Sequence, residues 1–277
     1  MRRLIQPGPP PPQRIDSFAT TLRKLRFALQ PGLTLNQAVT GPLVAAGFQS
    51  AALRFTGGGL DPFHYVLPGP PDGPSHVAWF STPHAPAGET RLEQANVTFG
   101  WAADGTPFLH CHAAWTEPDG ARRGGHILPH EAVVATPATV DAWGSADVRI
   151  AAAPDAETNF PLFQPYGTAG GQATGVVARV RPNEDITLAV EAIARRHGLR
   201  DAVLRGSLGS LVGARFTDGR TVADHATEVL VQHGRLSDGI AALDLLVVDM
   251  QGAVHRGTLA RGENAVCITF ELVLEAA

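Results

Sequence analysis

Two stretches of the chain share one pattern of apolar and polar positions. After Asn183-Glu184-Asp185, apolar residues recur at helical spacing as far as Gly198. This pattern predicts an amphipathic helix that begins near Asp185 and ends at a glycine cap. Residues Thr34 to Gly47 follow the same pattern. Pro42 lies within this second stretch and predicts that its helix is kinked or starts late.

Short apolar runs separated by Gly, Pro and Asp follow each helical stretch. The predicted strands are Ser50–Phe55, Val97–Trp101, Pro107–Trp115, Arg122–Leu128 and Ala132–Thr136, then Arg200–Arg205, Ala241–Val248, Ala253–Leu259 and Ala265–Leu274. One helix followed by a series of short strands is typical of an α+β domain. We therefore expect two homologous α+β domains, each a mainly antiparallel β-sheet with a packed helix.

The homology is visible in the sequence itself. Residues 29–60 align with residues 180–211 at a constant offset of 151, and nine of 32 positions are identical. A later match at a different offset indicates that the first copy has the longer middle loop, within residues 61–93. A repeat of this length indicates domain duplication rather than a solenoid.

The domain boundaries follow from two Pro- and Gly-rich stretches. Residues 1–14 are predicted to form an extended Pro-rich arm. Residues 15–155 are predicted to be the first domain, residues 156–172 a linker, and residues 173–277 the second domain.

Composition excludes several classes of protein. The chain has 277 residues, a hydrophobic content of 44%, a net charge of −4 and two cysteines. These values argue against disorder, a broad nucleic-acid-binding surface and a disulfide framework. Because neither a long apolar run nor a signal peptide is present, we expect a cytoplasmic protein without a membrane span.

Three histidines form the most informative pattern. His110 and His112 alternate on one predicted strand, so they share a face. The turn signal Pro118-Asp119-Gly120 places His126 opposite His112 on the next strand. Three converging imidazoles suit a metal ion with one open position. The alternatives are a hydrated polar strand face, or a register shifted by one residue that turns His126 away.

The same segment resembles the hallmark of the plant-and-prokaryote-conserved (PPC) family. The resemblance rests on Pro107-Phe108-Leu109-His110-Cys111-His112, Asp119-Gly120, Gly124-Gly125-His126-Ile127-Leu128 and Val133-Val134-Ala135-Thr136. It implies a metal ion bound by His110, His112 and His126. Zinc is the first expectation, and iron, copper, nickel and cobalt also suit imidazole. The PPC fold is also similar to that of acetolactate decarboxylase, which implies a two-half architecture with one zinc site.

The second copy departs from this pattern. Alignment on Gly120 and Gly252 places Ala242, Asp244 and Thr258 at the three histidine positions. One carboxylate does not hold a metal ion alone, so we expect one site per chain and a degenerate second copy. The family pattern Thr-x-Glu is kept only in the second copy, where it ends at Glu271.

Several other residues are candidates for a role at the site, and each also has a purely structural interpretation. Arg122 shares a face with His126 and is the candidate catalytic residue, binding a substrate carboxylate or phosphate; the alternative is a solvated surface arginine. Glu93 could be a fourth ligand or general base, or a surface glutamate. Arg54 and Arg205 occupy matching positions, which favours structural ion pairs. Cys111 should face the core.

Three functions remain open at this point. The first is a metal-dependent enzyme or ligand-binding protein acting on a small carbonyl or carboxylate compound. The second is a DNA-binding regulator, because plant relatives of the PPC family carry AT-hooks. The absence of an Arg-Gly-Arg motif and the acidic charge argue against specific DNA as a partner. The third is a non-catalytic assembly or sensor module.

The PPC resemblance also implies an oligomer. PPC domains form trimers, so we expect a homotrimer of six domains. The apolar strand 266–274 supports this expectation if it forms an exposed sheet edge. The competing arrangement is an intramolecular pair of domains, as in acetolactate decarboxylase, which allows a monomer or dimer.

Overall fold

The computed structural model describes residues 1–168 and 173–277. These residues contain two helices and 23 strands, which form two large, mainly antiparallel sheets and two small ones. The α+β class expected from the sequence is confirmed. No helix in the described ranges is long and apolar enough to cross a membrane.

The elements of the first half run from the N-terminus to the end of the predicted linker. In chain order they are β1 (Ile15–Thr20), β2 (Arg23–Ala28), α1 (Leu35–Ala45), β3 (Ser50–Phe55), β4 (Gly59–Leu60), β5 (Tyr65–Val66), β6 (Pro68–Gly69), β7 (Trp79–Phe80), β8 (Thr90–Trp101), β9 (Pro107–Thr116), β10 (Arg122–Ile127), β11 (Val134–Thr136), β12 (Thr139–Ser145), β13 (Arg149–Pro154) and β14 (Pro161–Tyr166).

The second half contains the remaining elements. They are β15 (Gly175–Val180), α2 (Ile186–Arg196), β16 (Ala202–Leu204), β17 (Leu208–Leu211), β18 (Ala214–Arg215), β19 (Thr221–Val222), β20 (Thr227–Ser237), β21 (Ile240–Val248), β22 (Val254–Thr258) and β23 (Val266–Ala276).

The two large sheets repeat one strand order. The first runs β2-β12-β3-β8-β9-β10, and the second runs β15-β23-β16-β20-β21-β22. The helices α1 and α2 each have 11 residues, and they start at positions separated by the offset found in the sequence. The stretch between β4 and β8 covers residues 61–89, whereas its counterpart between β17 and β20 covers only 212–226. The longer middle loop therefore lies where the sequence predicts it.

Helix α2 begins and ends at the expected residues, whereas α1 starts earlier than Pro42 suggests. Asp185 caps α2 by accepting a hydrogen bond from the Leu188 N–H, and Gly198 follows the helix at φ 67°. Thr34 caps α1, which starts at Leu35 and continues through Pro42. The late start predicted from Pro42 is therefore not observed. Each helix packs its apolar side against the sheet of its own half.

The predicted domain boundaries differ from the structure in the first strand. β1 pairs with β15 in the second sheet, in the register Ile15 opposite Val180, although residue 15 was expected to begin the first domain. The Pro-rich arm before it is also fixed to the second half. The buried side chain of Gln6 donates to the Cys267 carbonyl at 2.8 Å. Both assignments require long-range pairing, which local composition does not encode.

The predicted linker differs as well. Residues 161–166 form β14, which pairs with β13 as a hairpin. The prolines at 154, 161 and 165 favour a loop, but among the described residues β14 pairs only with β13, so it is an edge strand, where proline is tolerated. The last part of the predicted linker, residues 169–172, lies outside the described residues.

β23 occupies the interior of its sheet. It pairs with β15 on one side and with β16 and β17 on the other. Phe270, Leu272 and Leu274 are buried in the core of the second half. The exposed edge on which the sequence argument for a trimer relied is therefore not present.

The two halves pack against each other through β8 and β9. The fully buried Asn96 donates from Nδ2 to the carbonyls of Ser207 and Val231, at 2.8 and 2.9 Å. Ala114 of β9 packs against Leu230 and Leu246 of the second half. This contact places the second half directly beside the strand that carries His110 and His112.

Candidate metal centre

The three histidines converge as the strand register predicts. His126 on β10 lies opposite His112 on β9. The three ring centroids are 4.6 to 5.3 Å apart, and one nitrogen from each ring lies within 4.8 Å of the others. This group can bind a metal ion, and it is the only such group of three or more side chains found across residues 1–168 and 173–277.

The second half orients two of the imidazoles. The Nδ1 atom of His112 lies 3.0 Å from the Val229 carbonyl oxygen, which only accepts hydrogen bonds, so Nδ1 carries the proton. The Nδ1 atom of His110 lies 2.9 Å from Oε1 of Glu271. Both contacts are of the kind that fixes metal-binding histidines in the tautomer with a free Nε2.

The two freed nitrogens face each other. Nε2 of His110 lies 3.0 Å from Nε2 of His112. Two lone pairs at this distance repel, so either a proton or a metal ion is required between them. Two imidazoles on a tetrahedral zinc, with bonds of about 2.0–2.1 Å, have nitrogens about 3.3 Å apart. The spacing therefore fits two ligands of one ion.

Burial disfavours an additional proton on the imidazoles of the triad. Burial, together with the nearby charge positions of His110 and His126, holds the pKa of His112 well below its ordinary value. Burial and His110 lower the pKa of His126 to about 3. Neutral imidazole is the form that binds metals. The lowered pKa values of His112 and His126 therefore favour the protonation state that metal binding requires.

Two glutamates from the second half complete the surroundings of the triad. Oε1 of Glu228 lies 3.9 Å from Nε2 of His112 and 4.0 Å from Nδ1 of His126. Burial raises the pKa of Glu228 well above its ordinary value. The Oε2 atoms of Glu228 and Glu271 are buried and have no hydrogen-bond partner among the described residues. Buried carboxyl oxygens are rarely left unpaired, so both are suited to contact a bound species.

Sequence reasoning did not connect these glutamates to the site. Glu271 was recognised only as a retained family residue, and Glu228 was missed. The single local signal for Glu228 is its position in the apolar run that continues as Val229-Leu230-Val231. An acidic residue that is 4% exposed in such a strand is uncommon without a partner or a role.

An apolar cavity of about 350 Å³ opens beside the triad. The middle loop of the first half contributes Trp79 and Phe80, and the β13–β14 hairpin contributes Phe160 and Phe163. Strands β17, β20 and β23 of the second half form the opposite wall. The cavity therefore lies at the boundary between the halves.

The other candidates lie elsewhere. Arg122 donates from Nε to both carboxylate oxygens of Glu93, at 2.9 and 3.0 Å, and neither residue lines the cavity. Arg205 forms an ion pair with Glu275 at 2.7 Å. Arg54 instead donates to the Gln232 carbonyl and to the side chain of Gln94.

Cys111 and the second-half counterparts of the histidines lie where the sequence predicts them. Cys111 is fully buried in the core of the first half, on the face opposite the triad. In the second half, Asp244 lies opposite Thr258, as His112 lies opposite His126. Oδ2 of Asp244 accepts a hydrogen bond from Arg256 at 3.1 Å, so the one carboxylate at this position is already paired.

Several solved structures resemble part of the chain. A PPC protein from Pyrococcus horikoshii is 17% identical, covers 52% of this chain and 94% of its own, and has a TM-score of 0.42. A metal-containing protein from Archaeoglobus fulgidus is 16% identical, with coverages of 53% and 97% and a TM-score of 0.43. A candidate DNA-binding protein from Ralstonia eutropha JMP134 is 18% identical, with coverages of 52% and 95% and a TM-score of 0.40. Likenesses of this size carry no argument about function.

No curated protein matches the chain. The family comparison is more informative, because residues 167–277 match the model of the Plants and Prokaryotes Conserved (PCC) domain. The matched residues form the half that supplies Glu228 and Glu271 rather than the histidines. Residues 167–277 are therefore similar to the PCC domain, the same family that the histidine string of the first half resembles.

Proposed function

We propose that His110, His112 and His126 hold one divalent transition metal ion per chain, with zinc as the first candidate. The observation that carries this proposal is the pair of facing Nε2 atoms, 3.0 Å apart, on two imidazoles whose Nδ1 atoms are already engaged. The burial that lowers the pKa of His112 and of His126 supports it.

The activity proposed is that of a metal-dependent enzyme or ligand-binding protein for a small carbonyl or carboxylate compound. A bound ion of this kind polarises a carbonyl group or activates water. Val229 and Glu271 orient the imidazoles, and the apolar cavity limits access of water. Glu228 and Glu271 each place a carboxyl oxygen where a ligand proton can be held. A non-catalytic sensor module would bind the metal and the ligand without turnover.

We also propose that the two halves arose by duplication. The shared strand order and the constant sequence offset support this origin. In this proposal the second copy lost the metal ligands, with Ala242, Asp244 and Thr258 in their place. It kept the fold and now supplies the carboxyl groups of a single site.

Metal analysis tests the site. The purified protein should carry close to one equivalent of a transition metal per chain, and His112→Ala should remove it. The matched control is His255→Ala, because His255 bonds to Asp249 in the second half, away from the triad. Two equivalents per chain, or none after loading with zinc, would contradict the one-site proposal.

Assembly is a separate proposal. The resemblance supports a homotrimer of six domains, and the competing arrangement is the intramolecular pair. Glu228 and Glu271 reach the triad from within the same chain, so the site does not require a second chain. Light scattering at micromolar concentration tests the trimer, and a stable monomer would refute it.

A further inference from the structure

The wall that the first half contributes to the cavity carries five aromatic rings, those of Trp79, Phe80, Phe108, Phe160 and Phe163. Trp79 stacks on Phe160 with ring centroids 5.2 Å apart, and Phe80 lies 6.2 Å from Phe160. Phe108 packs against Phe163 at 6.1 Å. The edge of this wall reaches the triad, because the Phe80 ring lies 5.5 Å from that of His126.

Four of the five rings come from parts that the first half adds to the repeated fold. Trp79 and Phe80 belong to the long stretch 61–89, whose counterpart in the second half is about half as long. Phe160 and Phe163 belong to the β13–β14 segment, which follows the last repeated strand of the first half. These four rings are therefore additions next to the triad, whereas Phe108 lies on β9 of the repeated fold.

The polar groups of the cavity are concentrated at the triad. Its ionisable side chains are the three histidines, Glu228, Glu271 and Cys267, and burial raises the pKa of the Cys267 thiol, which keeps it neutral. Within residues 1–168 and 173–277, no lysine or arginine lines the cavity, and Arg122 is held outside it by Glu93. A second negative charge on a ligand would be desolvated among aromatic rings without a cation to pair with, which is unfavourable.

The size of the cavity sets a further limit. Its volume of about 350 Å³ is roughly twice that of an engineered apolar cavity of about 150 Å³ that binds benzene. One aromatic ring with a short polar head fits this space. A compound with only two or three carbons would leave most of the apolar wall uncovered.

We infer that the site takes a compound with one oxygen-donor head, bound at the histidine triad, and one aromatic body, held against Trp79, Phe80 and Phe160. This inference rests on the proposed metal site and narrows its ligand class to aromatic carbonyl or monocarboxylate compounds. Small polar keto acids and dicarboxylates are excluded by the same chemistry.

Three probes with the same metal-binding head test the inference on the zinc-loaded chain of residues 1–277. Acetohydroxamate has no ring, benzohydroxamate has one, and 4-carboxybenzohydroxamate adds a second negative charge. Calorimetry should show benzohydroxamate binding at least tenfold more tightly than either of the others. Equal or tighter binding of acetohydroxamate, or of the dianionic probe, would overturn the inference.

Two variants test whether the preference for benzohydroxamate depends on the aromatic wall of the cavity. Phe80→Ala and Phe160→Ala should each weaken benzohydroxamate binding about tenfold and leave acetohydroxamate binding unchanged. Tyr166→Ala is the matched control, because Tyr166 lies on β14, is half exposed and does not line the cavity. The partly exposed Phe80 keeps the test decisive if Phe160→Ala does not fold. Unchanged benzohydroxamate binding in Phe80→Ala would contradict the assignment.

The zinc content of each sample separates two kinds of failure. A protein that binds no zinc and no hydroxamate refutes the proposed metal site, and the ligand class falls with it. A protein that binds zinc and prefers acetohydroxamate leaves the metal site standing and refutes the aromatic ligand class alone.

Discussion

Glu271, in the last strand of the second half, lies 2.9 Å from Nδ1 of His110 in the first half. Its carboxylate is 4% exposed and its second oxygen has no partner among the described residues. Because the contact joins the family-matched half to the histidine-bearing half, the candidate metal centre depends on both. Neither half contains all of its groups.

The first prediction concerns this contact. Glu271→Gln should weaken zinc affinity about tenfold, and Glu271→Ala about 100-fold, because loss of an outer hydrogen bond to a metal-binding histidine has effects of this order. A chelator competition titration measures the affinity. Glu263→Gln is the control, since Glu263 pairs with Arg215 at the surface. Unaltered affinity in both Glu271 variants would show that this residue does not position His110.

The second prediction concerns the interface between the halves. Asn96→Ala removes both hydrogen bonds to the Ser207 and Val231 carbonyls. Losing these two buried hydrogen bonds, at about 1 kcal/mol each, should lower the free energy of unfolding by about 2 kcal/mol. Urea denaturation measures the change, with the exposed Gln30→Ala as control. An equally small effect of both substitutions would mean that the buried amide does not stabilise the interface.

Features governed by local chemistry could be predicted from the sequence. Asp185 and Gly198 mark the ends of α2 because capping depends on a few adjacent residues. The turn at Pro118-Asp119-Gly120 fixes the register that pairs His112 with His126, because a short turn determines which residues face each other.

Features that depend on distant packing could not be predicted. Glu228 reaches the triad only because β20 packs beside β9, more than 100 positions away in the chain. β1 joins the second sheet through pairing with β15, which composition near residue 15 does not reveal. Four of the five aromatic rings of the cavity wall likewise come from two segments that are far apart in the sequence and converge only in the folded chain. In each case no local signal specifies the partner.

The third prediction concerns nucleic acid. The net charge of −4 and the lack of an Arg-Gly-Arg motif predict duplex DNA affinity no better than the non-specific range, roughly 10⁻⁴–10⁻⁶ M, with strong weakening by salt. Fluorescence anisotropy at 50 and 200 mM salt measures both. Random and AT-rich duplexes should bind alike. A sequence-specific, nanomolar complex that survives 200 mM salt would contradict this expectation and favour a regulatory function.

The fourth prediction concerns acid stability and starts from Asp155. This residue lies between β13 and β14 and is 4% exposed. Its Oδ2 accepts hydrogen bonds from Arg179 at 2.8 Å and from Arg181 at 2.9 Å, which attach the hairpin to β15. Burial alone raises the pKa of Asp155, but the Arg179 charge and the hydrogen bonds of Arg179 and Thr158 outweigh burial. The pKa of the folded protein is therefore lower than the ordinary value.

The lowered pKa of Asp155 determines how the stability of the fold changes with pH. Because the folded-state pKa is below the unfolded value, the ionised carboxylate stabilises the fold fully above the unfolded pKa of 3.8. This stabilisation is lost as the pH falls from there through the lower folded-state pKa. Asp155→Asn should cost about 3–5 kcal/mol at neutral pH, because it leaves the buried Arg179 without its carboxylate partner, whereas Arg181 keeps Asp16. The variant should then lose less stability than the parent between pH 5 and 3. Urea denaturation at a series of pH values measures both effects.

Asp141→Asn is the control, since its ion pair with Arg26 is exposed and should contribute less than about 1 kcal/mol. Parallel stability curves for the parent and Asp155→Asn below pH 4 would show that this carboxylate does not cause the acid sensitivity.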